Sequence, residues 1–154
     1  MDNRVAKYFA QNNISLTPLF TGEDTSTVQK AAAVLGVEDG QIAKSLALQL
    51  PDKVIVLVTM GTARLDNPKY KAQFHTKAKM LTPEDTLAAT GFPVGGVCPF
   101  ALPNDVEVYL DASLKQYSVV YPAAGTRDSA VKTEVDCLAE YTGGTWVDVC
   151  KTAE

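Results

Sequence analysis

Lys44 is a single cation within the apolar stretch 42–48, which precedes a second apolar run from Val54 to Val58. A charged side chain in this position must be paired, lie exposed at a strand end, or point into a cleft. Two interpretations are therefore open. The Lys44 stem packs at a strand end while its ammonium reaches water, or the ammonium is a fixed charge that orients a phosphate or an ester carbonyl.

A glycine-rich loop over residues 91–100 is the second candidate for chemistry. Glycines and prolines this dense fix an irregular backbone and let another group approach it closely. Gly95 and Gly96 either form a tight turn or present backbone N–H groups to a bound carbonyl oxygen or oxyanion. Together with Lys44, this loop is a candidate for one small polar pocket.

Cys98 lies within the same loop and is a candidate nucleophile. A reactive thiolate needs a lowered pKa, which a cation, a helix N-terminus or a histidine supplies. Lys44 supplies that cation only if the two side chains converge in space. The other interpretation of Cys98 is a small residue half-buried in a tight loop.

Two further positions follow apolar runs that are expected to be strands. Asp111 comes directly after residues 106–110 and either caps a helix or turn, or faces a ligand. Gly125 belongs to the small-residue segment 123–126, which either forms a turn or leaves room for a ligand.

Several classes of function have no support in the sequence. It has no Walker loop and no G-x-G-x-x-G, and its single histidine, His75, lies in an expected solvated turn. We expect no metal, because zinc sites draw on several Cys and His at short spacing and that pattern is missing here. The three cysteines are widely spaced, which favours a reducing cytoplasm over a disulfide framework.

Charge and hydropathy limit the partners. The net charge of -4 argues against a broad nucleic-acid surface and so against DNA, but it is compatible with gripping one end of an RNA. No apolar run approaches the ~20 residues of a membrane helix. The densest basic stretch, residues 69–79, is interpreted as a solvated face and is the best electropositive candidate.

Local patterns predict the elements that position these residues. Residues 41–50 and 53–59 form two strands of a hairpin that turns at Pro51-Asp52. Asp24 or Thr25 caps a helix that stops at Gly36, Thr82 caps one that stops at Gly91, and Thr133 begins a third. Strands and helices alternate irregularly, which predicts one α/β domain over residues 1–154 with a mixed sheet.

In order and spacing, the sequence resembles the YbaK/ProX family of free-standing aminoacyl-tRNA deacylases, which is related to the editing domain inserted in bacterial prolyl-tRNA synthetases. The resemblance covers roughly residues 25–150. The segments that carry it are residues 31–37, residues 41–46, Gly61 with residues 64–66, Gly91, residues 95–100, residues 110–111 with 113–114, and residues 124–125.

The resemblance implies a compact domain whose mixed, partly barrel-like β-sheet is flanked by helices. It also implies hydrolysis of the ester that joins a wrong amino acid to the terminal adenosine of a tRNA, and it implies no metal or organic cofactor. Lys44 would hold the terminal nucleotide or the aminoacyl carbonyl and is the expected catalytic residue. The expected substrate-binding residues are Gly95, Gly96, Cys98, Asp111 and Gly125. Many members carry serine where this chain has Cys98, which leaves the amino-acid specificity and a covalent thiol route open.

The expected partner is the acceptor end of an aminoacyl-tRNA, with prolyl-tRNA synthetase as a possible second partner. Cysteine, alanine, serine and threonine all remain candidate amino acids. A non-catalytic tRNA-binding or synthetase-associated module on the same scaffold is the alternative function. A small-molecule esterase is the third, but the sequence lacks a nucleophile elbow.

Overall fold

The computed structural model describes residues 4–152 of the chain, so the two ends of the domain expected over residues 1–154 lie outside it. In chain order, its elements are α1 (Arg4–Gln11), β1 (Leu19–Phe20), α2 (Val28–Leu35), β2 (Ile42–Gln49), β3 (Val54–Met60), β4 (Ala63–Leu65), α3 (Asn67–Phe74), α4 (Pro83–Thr90), β5 (Glu107–Asp111), β6 (Val119–Pro122), β7 (Ser129–Ala130), β8 (Thr133–Glu134), α5 (Leu138–Thr142), β9 (Thr145–Val147) and β10 (Cys150–Thr152).

Six strands form the main sheet, in the order β8-β6-β2-β3-β5-β9. The β2–β3 and β6–β8 pairs are antiparallel, and the other three pairs are parallel. Two antiparallel ribbons, β1–β7 and β4–β10, lie beside it. The curled, half-barrel form of this mixed sheet confirms the predicted α/β fold class.

The central strand β3 is buried on both faces, as its continuous apolar sequence requires. Val56 and Val58 pack into a core cluster with Phe9 of α1. Leu57 points to the opposite face and packs near Tyr70 of α3. Because side chains alternate along a strand, this one run joins two cores, each of which gains about 1.5–3 kcal/mol per large apolar side chain that it buries.

Short-range signals predicted the hairpin and two helix ends correctly. The β2–β3 turn lies at Pro51-Asp52. Thr82 caps α4, which ends at Gly91 in the left-handed conformation. The helix predicted to stop at Gly36 does so, but its cap is Thr27, whose side chain accepts from the Lys30 N–H.

The start at Thr133 that was predicted for the third helix is wrong. Thr133 instead lies in β8, where it pairs with Val120 of β6. Residues 135–137 then form a 3₁₀ turn, and the helix begins only at Leu138. The capping pattern is local, whereas the pairing with β6 is a long-range contact that competes with it and prevails.

No helix within residues 4–152 is long and apolar enough to span a membrane.

Candidate functional site

A cavity of about 250 Å³ lies beside β2, where β2 and β6 separate. β6 pairs only with Ile42 and Ala43, at the start of β2. Further along the same strand, Leu48 pairs with Met80. Residues 44–46 lie between these two pairings and line the cavity instead. The remaining walls come from residues 25–28, Ala31, Gly95, Val97, and part of the segment 121–130.

Lys44 is part of this wall, as its position in the apolar stretch suggested. Its Nζ donates a hydrogen bond to the Ala63 carbonyl oxygen at 2.6 Å. Burial lowers the pKa of Lys44 below that of an ordinary lysine, and the Arg64 cation lowers it further, while Cys150 acts in the opposite direction. An ammonium carries three donors, so two remain for another ligand after the bond to Ala63.

Gly95 places its backbone at the cavity wall. Its φ of +89° lies in the left-handed region, and a Cβ there would come 2.7 Å from the Ser26 Cβ. Gly95 and Ser26 both line the cavity. The close approach of these two loops therefore requires a residue without a side chain.

Gly96 supports the wall from behind. A Cβ on Gly96 would lie 3.0 Å from backbone atoms of Gly125 and Thr126. Its N–H donates to the Pro93 carbonyl at 2.9 Å and so closes a turn. The Gly96 N–H therefore already has an acceptor and is not free to donate to an oxyanion.

The late loop that contains Gly125 is fixed to both other walls. Gly125 is buried with a φ of +99°. The Nε of Arg127 donates to the Val94 carbonyl at 2.9 Å. The Thr25 N–H donates to the Arg127 carbonyl at 2.7 Å. These bonds link three separate segments, so the cavity is built on a preorganised frame.

The structure places Cys98 apart from the cavity lining. Its side chain is fully buried in the core cluster that contains Phe9. The Sγ donates to the Phe100 carbonyl at 3.6 Å. Cys98 is thus buried more deeply than the half-buried loop residue of the second interpretation, and Lys44 donates to Ala63 on another element.

We predict that Cys98→Ser retains deacylation within about twofold of the wild-type kcat/KM, because the Cys98 thiol lies in the core and outside the cavity lining. The serine hydroxyl can still donate to the Phe100 carbonyl, so only a small loss of stability is expected, of about 1 kcal/mol. Single-turnover hydrolysis assays on both proteins check this. A thioester trapped on the wild type, together with an inactive serine variant, would contradict it.

Asp111 also lies outside the cavity lining. Its carboxylate accepts from the Ser113 N–H at 2.9 Å and from the Val149 N–H at 2.8 Å. It is 1% exposed and caps the 3₁₀ turn over residues 112–116. The capping interpretation is thus confirmed. Cys150 of β10 is buried, whereas Cys137 is partly exposed.

The sequence did not single out the hydroxyl residues of the wall. Thr25, Ser26 and Thr27 line the cavity, as does Ser45. The Ser45 Oγ is shielded from solvent and has no hydrogen-bond partner within residues 4–152. The available signals were the position of Ser45 next to Lys44 and the cap position of Thr27. Among the same residues, no group of three His, Cys, Asp or Glu side chains is arranged to hold a metal ion.

The half-barrel mixed sheet, with its small cavity beside β2, has the fold of aminoacyl-tRNA editing domains. The family profile described as "Aminoacyl-tRNA editing domain" matches residues 22–141, which include every wall of the cavity. The chain belongs to this family, in its YbaK-like branch, and its role is aminoacyl-tRNA editing. The resemblance found in the sequence is confirmed.

Three similar proteins illustrate the match. YwhH of Bacillus subtilis, an uncharacterized protein, is 46% identical over 132 residues, which are 84% of each chain. EbsC of Enterococcus faecalis, a proposed Cys-tRNA(Pro)/Cys-tRNA(Cys) deacylase, is 30% identical over 130 residues, covering 82% of this chain and 79% of EbsC. The crystal structure of a proposed trans-editing enzyme for prolyl-tRNA synthetase superimposes with a TM-score of 0.86 at 29% identity, covering 97% and 96% of the two chains.

Proposed function

We propose that this chain is a free-standing cytoplasmic deacylase that hydrolyses the ester between a small amino acid and the terminal adenosine of tRNA(Pro). The observation that carries the proposal is the cavity of about 250 Å³ with Lys44 in its wall. Pockets for drug-sized ligands measure about 300–1,000 Å³, so this volume suits a small aminoacyl group. The names of EbsC and of the trans-editing enzyme support tRNA(Pro) and a link to prolyl-tRNA synthetase.

The chemistry is within reach of the residues present. In the proposed reaction, water adds to the ester carbonyl carbon, the ester C–O bond breaks, and the ribose hydroxyl leaves with a proton that the water supplied. The products are a free amino acid and an uncharged tRNA. An aminoacyl ester is already activated, so positioning and charge stabilisation are sufficient.

Lys44 is the proposed catalytic residue because, among the described residues 4–152, it is the one charged residue in the cavity lining. Its two remaining donors would hold the aminoacyl carbonyl or the terminal nucleotide. Within the part of the chain that the structure describes, that lining contains no carboxylate, histidine or cysteine. We therefore assign proton transfer to groups of the substrate, namely its amino group, a ribose hydroxyl or its own side chain.

The glycine loop is proposed to form the aminoacyl side of the cavity. Gly95 presents backbone there, while Gly96 and Gly125 hold the loop against the late segment. The substrate-binding roles predicted for Cys98 and Asp111 remain predictions. Both side chains are committed elsewhere, Cys98 to the core and Asp111 to two backbone N–H groups.

A panel of charged tRNAs tests the proposal. Alanine, cysteine, serine and threonine would each be placed on tRNA(Pro) and on the cognate tRNA, and the rate of ester hydrolysis measured. We expect one or two of the tRNA(Pro) species to be hydrolysed well above the spontaneous rate. Binding of tRNA without hydrolysis of any member would favour the non-catalytic module instead.

We also predict a shallow salt dependence of tRNA binding. The net charge of -4 leaves room for contacts at the acceptor end only, so few phosphates are neutralised. With a slope of about -0.9 per phosphate in log Kobs against log[salt], the expected slope is about -2 to -3. Binding isotherms between 50 and 200 mM salt provide the measurement, and a slope steeper than about -6 would contradict acceptor-end binding.

A further inference from the structure

The ribbon formed by β4 and β10 carries two like charges side by side. Arg64 and Lys151 are directly opposite each other in the antiparallel register. Both side chains are exposed, while the neighbouring Ala63 and Cys150 are buried beneath the ribbon. Like charges directly opposite each other destabilise a strand pair, so packing of the fold gives no reason for this pair.

Lys44 adds a third cation at the same place. Its Nζ donates to the carbonyl of Ala63, the residue immediately before Arg64. The positive charge of Arg64 acts on Lys44 across this short distance and opposes its protonation. Three cations, Lys44, Arg64 and Lys151, are therefore concentrated at one short ribbon.

Carboxylates do not neutralise the charges of Lys44, Arg64 and Lys151 within the described residues. None of the three cations takes part in an ion pair within residues 4–152, whereas Lys30, Lys53 and Lys69 are each paired with a carboxylate. The chain has 18 acidic and 14 basic residues, so acidic partners are plentiful in general.

The acidic groups closest to the ribbon have other roles. Asp66 caps α3. Asp148 pairs with Lys69. Asp111 accepts two backbone N–H bonds. The three cations therefore remain without a neutralising carboxylate, although these acidic groups lie nearby. A surface with this excess of positive charge is suited to bind an anion.

The ribbon borders the cavity. Gly61 directly follows β3 in the connection to β4, and a Cβ there would lie 2.9 Å from Val28 Cγ1. Val28 and Lys44 both line the cavity. Lys44 of the cavity wall also donates to Ala63 of the ribbon. A molecule whose end occupies the cavity can therefore extend towards the neighbouring Arg64 and its partner Lys151.

We propose that Arg64 and Lys151 bind phosphate groups of the acceptor strand, next to the terminal adenosine whose aminoacyl ester lies in the cavity. This inference rests on the proposed function and names the surface that receives the rest of the substrate. The guanidinium of Arg64 matches a phosphate with two parallel hydrogen bonds, and Lys151 supplies a point charge. A bound phosphate also relieves the repulsion between the two side chains.

A charge-matched pair of double variants tests the surface. Arg64→Gln with Lys151→Gln removes the two charges on the ribbon. Lys77→Gln with Lys79→Gln removes two exposed charges from the basic stretch over residues 69–79, which is the rival electropositive surface. Uncharged tRNA(Pro) is titrated against each protein between 50 and 200 mM salt.

The ribbon variant is expected to bind tRNA about tenfold more weakly at 50 mM salt and to lose about 2 from the salt slope, since each phosphate contact contributes about 1. During deacylation, the change falls on KM rather than kcat. The Lys77/Lys79 variant keeps the wild-type slope. Equal slopes for wild type and ribbon variant, or a loss confined to the Lys77/Lys79 variant, would overturn the proposal.

An aminoacyl ester of adenosine, which has no phosphate, separates binding of the strand from damage to the cavity. The wild type and the ribbon variant should hydrolyse this ester at the same kcat/KM. A matching loss on the adenosine ester and on tRNA would overturn the proposal, because the two cations would then act on the cavity. If the wild type hydrolyses no aminoacyl-tRNA, the proposed function fails, while the titration of uncharged tRNA still decides whether this surface binds phosphate.

Discussion

Lys44→Ala is expected to abolish measurable deacylation, with a loss in kcat/KM of at least about 10²–10³-fold. Removal of one preorganised donor to a developing oxyanion costs about that much, and Lys44 is the one charged residue that the described part of the chain places in the cavity lining. Because burial lowers the pKa of this ammonium, its charge is incompletely screened by water. Single-turnover hydrolysis of the best substrate from the tRNA panel is the measurement.

The fold should survive this change. The Lys44 side chain makes one hydrogen bond, to the Ala63 carbonyl, and its loss costs about 1 kcal/mol. The melting temperature and the circular dichroism spectrum check this, with Lys7→Ala, an exposed residue of α1, as the control. Wild-type turnover by Lys44→Ala would remove the residue from the mechanism.

A second variant separates charge from packing. Lys44→Met keeps an apolar stem of similar length in the cavity wall but carries no charge. If the charge stabilises the transition state, Met and Ala variants are equally inactive. If Lys44→Met is active while Lys44→Ala is inactive, the role of Lys44 is to shape the cavity wall. That outcome would support the interpretation in which its stem packs.

The sequence predicted those parts of the fold that depend on neighbours along the chain. The β2–β3 hairpin and the end of α4 at Gly91 were both found from local turn and cap chemistry. Thr133 was assigned to a helix because its spacing to Asp136 resembles a cap. Its actual place in β8 depends on Val120, which is distant along the chain, and no local pattern carries that information.

The candidate site shows the same difference between what local sequence patterns predict and what depends on long-range contacts. Lys44 and Gly95 stand out in the sequence because a cation in an apolar strand and a glycine pair in a loop both need a reason. Cys98 and Asp111 are also residue types that can do chemistry. In the structure, however, Cys98 packs in the core and Asp111 caps a turn. Ser45 was missed because serine is unremarkable in a strand, and only the separation of β2 from β6 places it at the cavity.

Gly95→Ala is the second change for which we expect a large effect, a fall in kcat/KM of about 10²-fold. Its φ of +89° is unfavourable for alanine, and the new Cβ would lie 2.7 Å from the Ser26 Cβ. One of the two loops must move, and both line the cavity. A displacement of about 1 Å in a positioned site can cost about 10²-fold in rate.

Gly143→Ala is the matched control for backbone strain. Gly143 has a φ of +71°, but its Cβ would meet no atom within 4 Å, and it does not line the cavity. Each substitution should cost about 1–2 kcal/mol in the free energy of unfolding, because both force an L-residue into the left-handed region. Only Gly95→Ala should lose activity at a temperature where both proteins are folded. Equal activity losses would attribute the effect to stability, and full activity of Gly95→Ala would show that the aminoacyl group does not contact this loop.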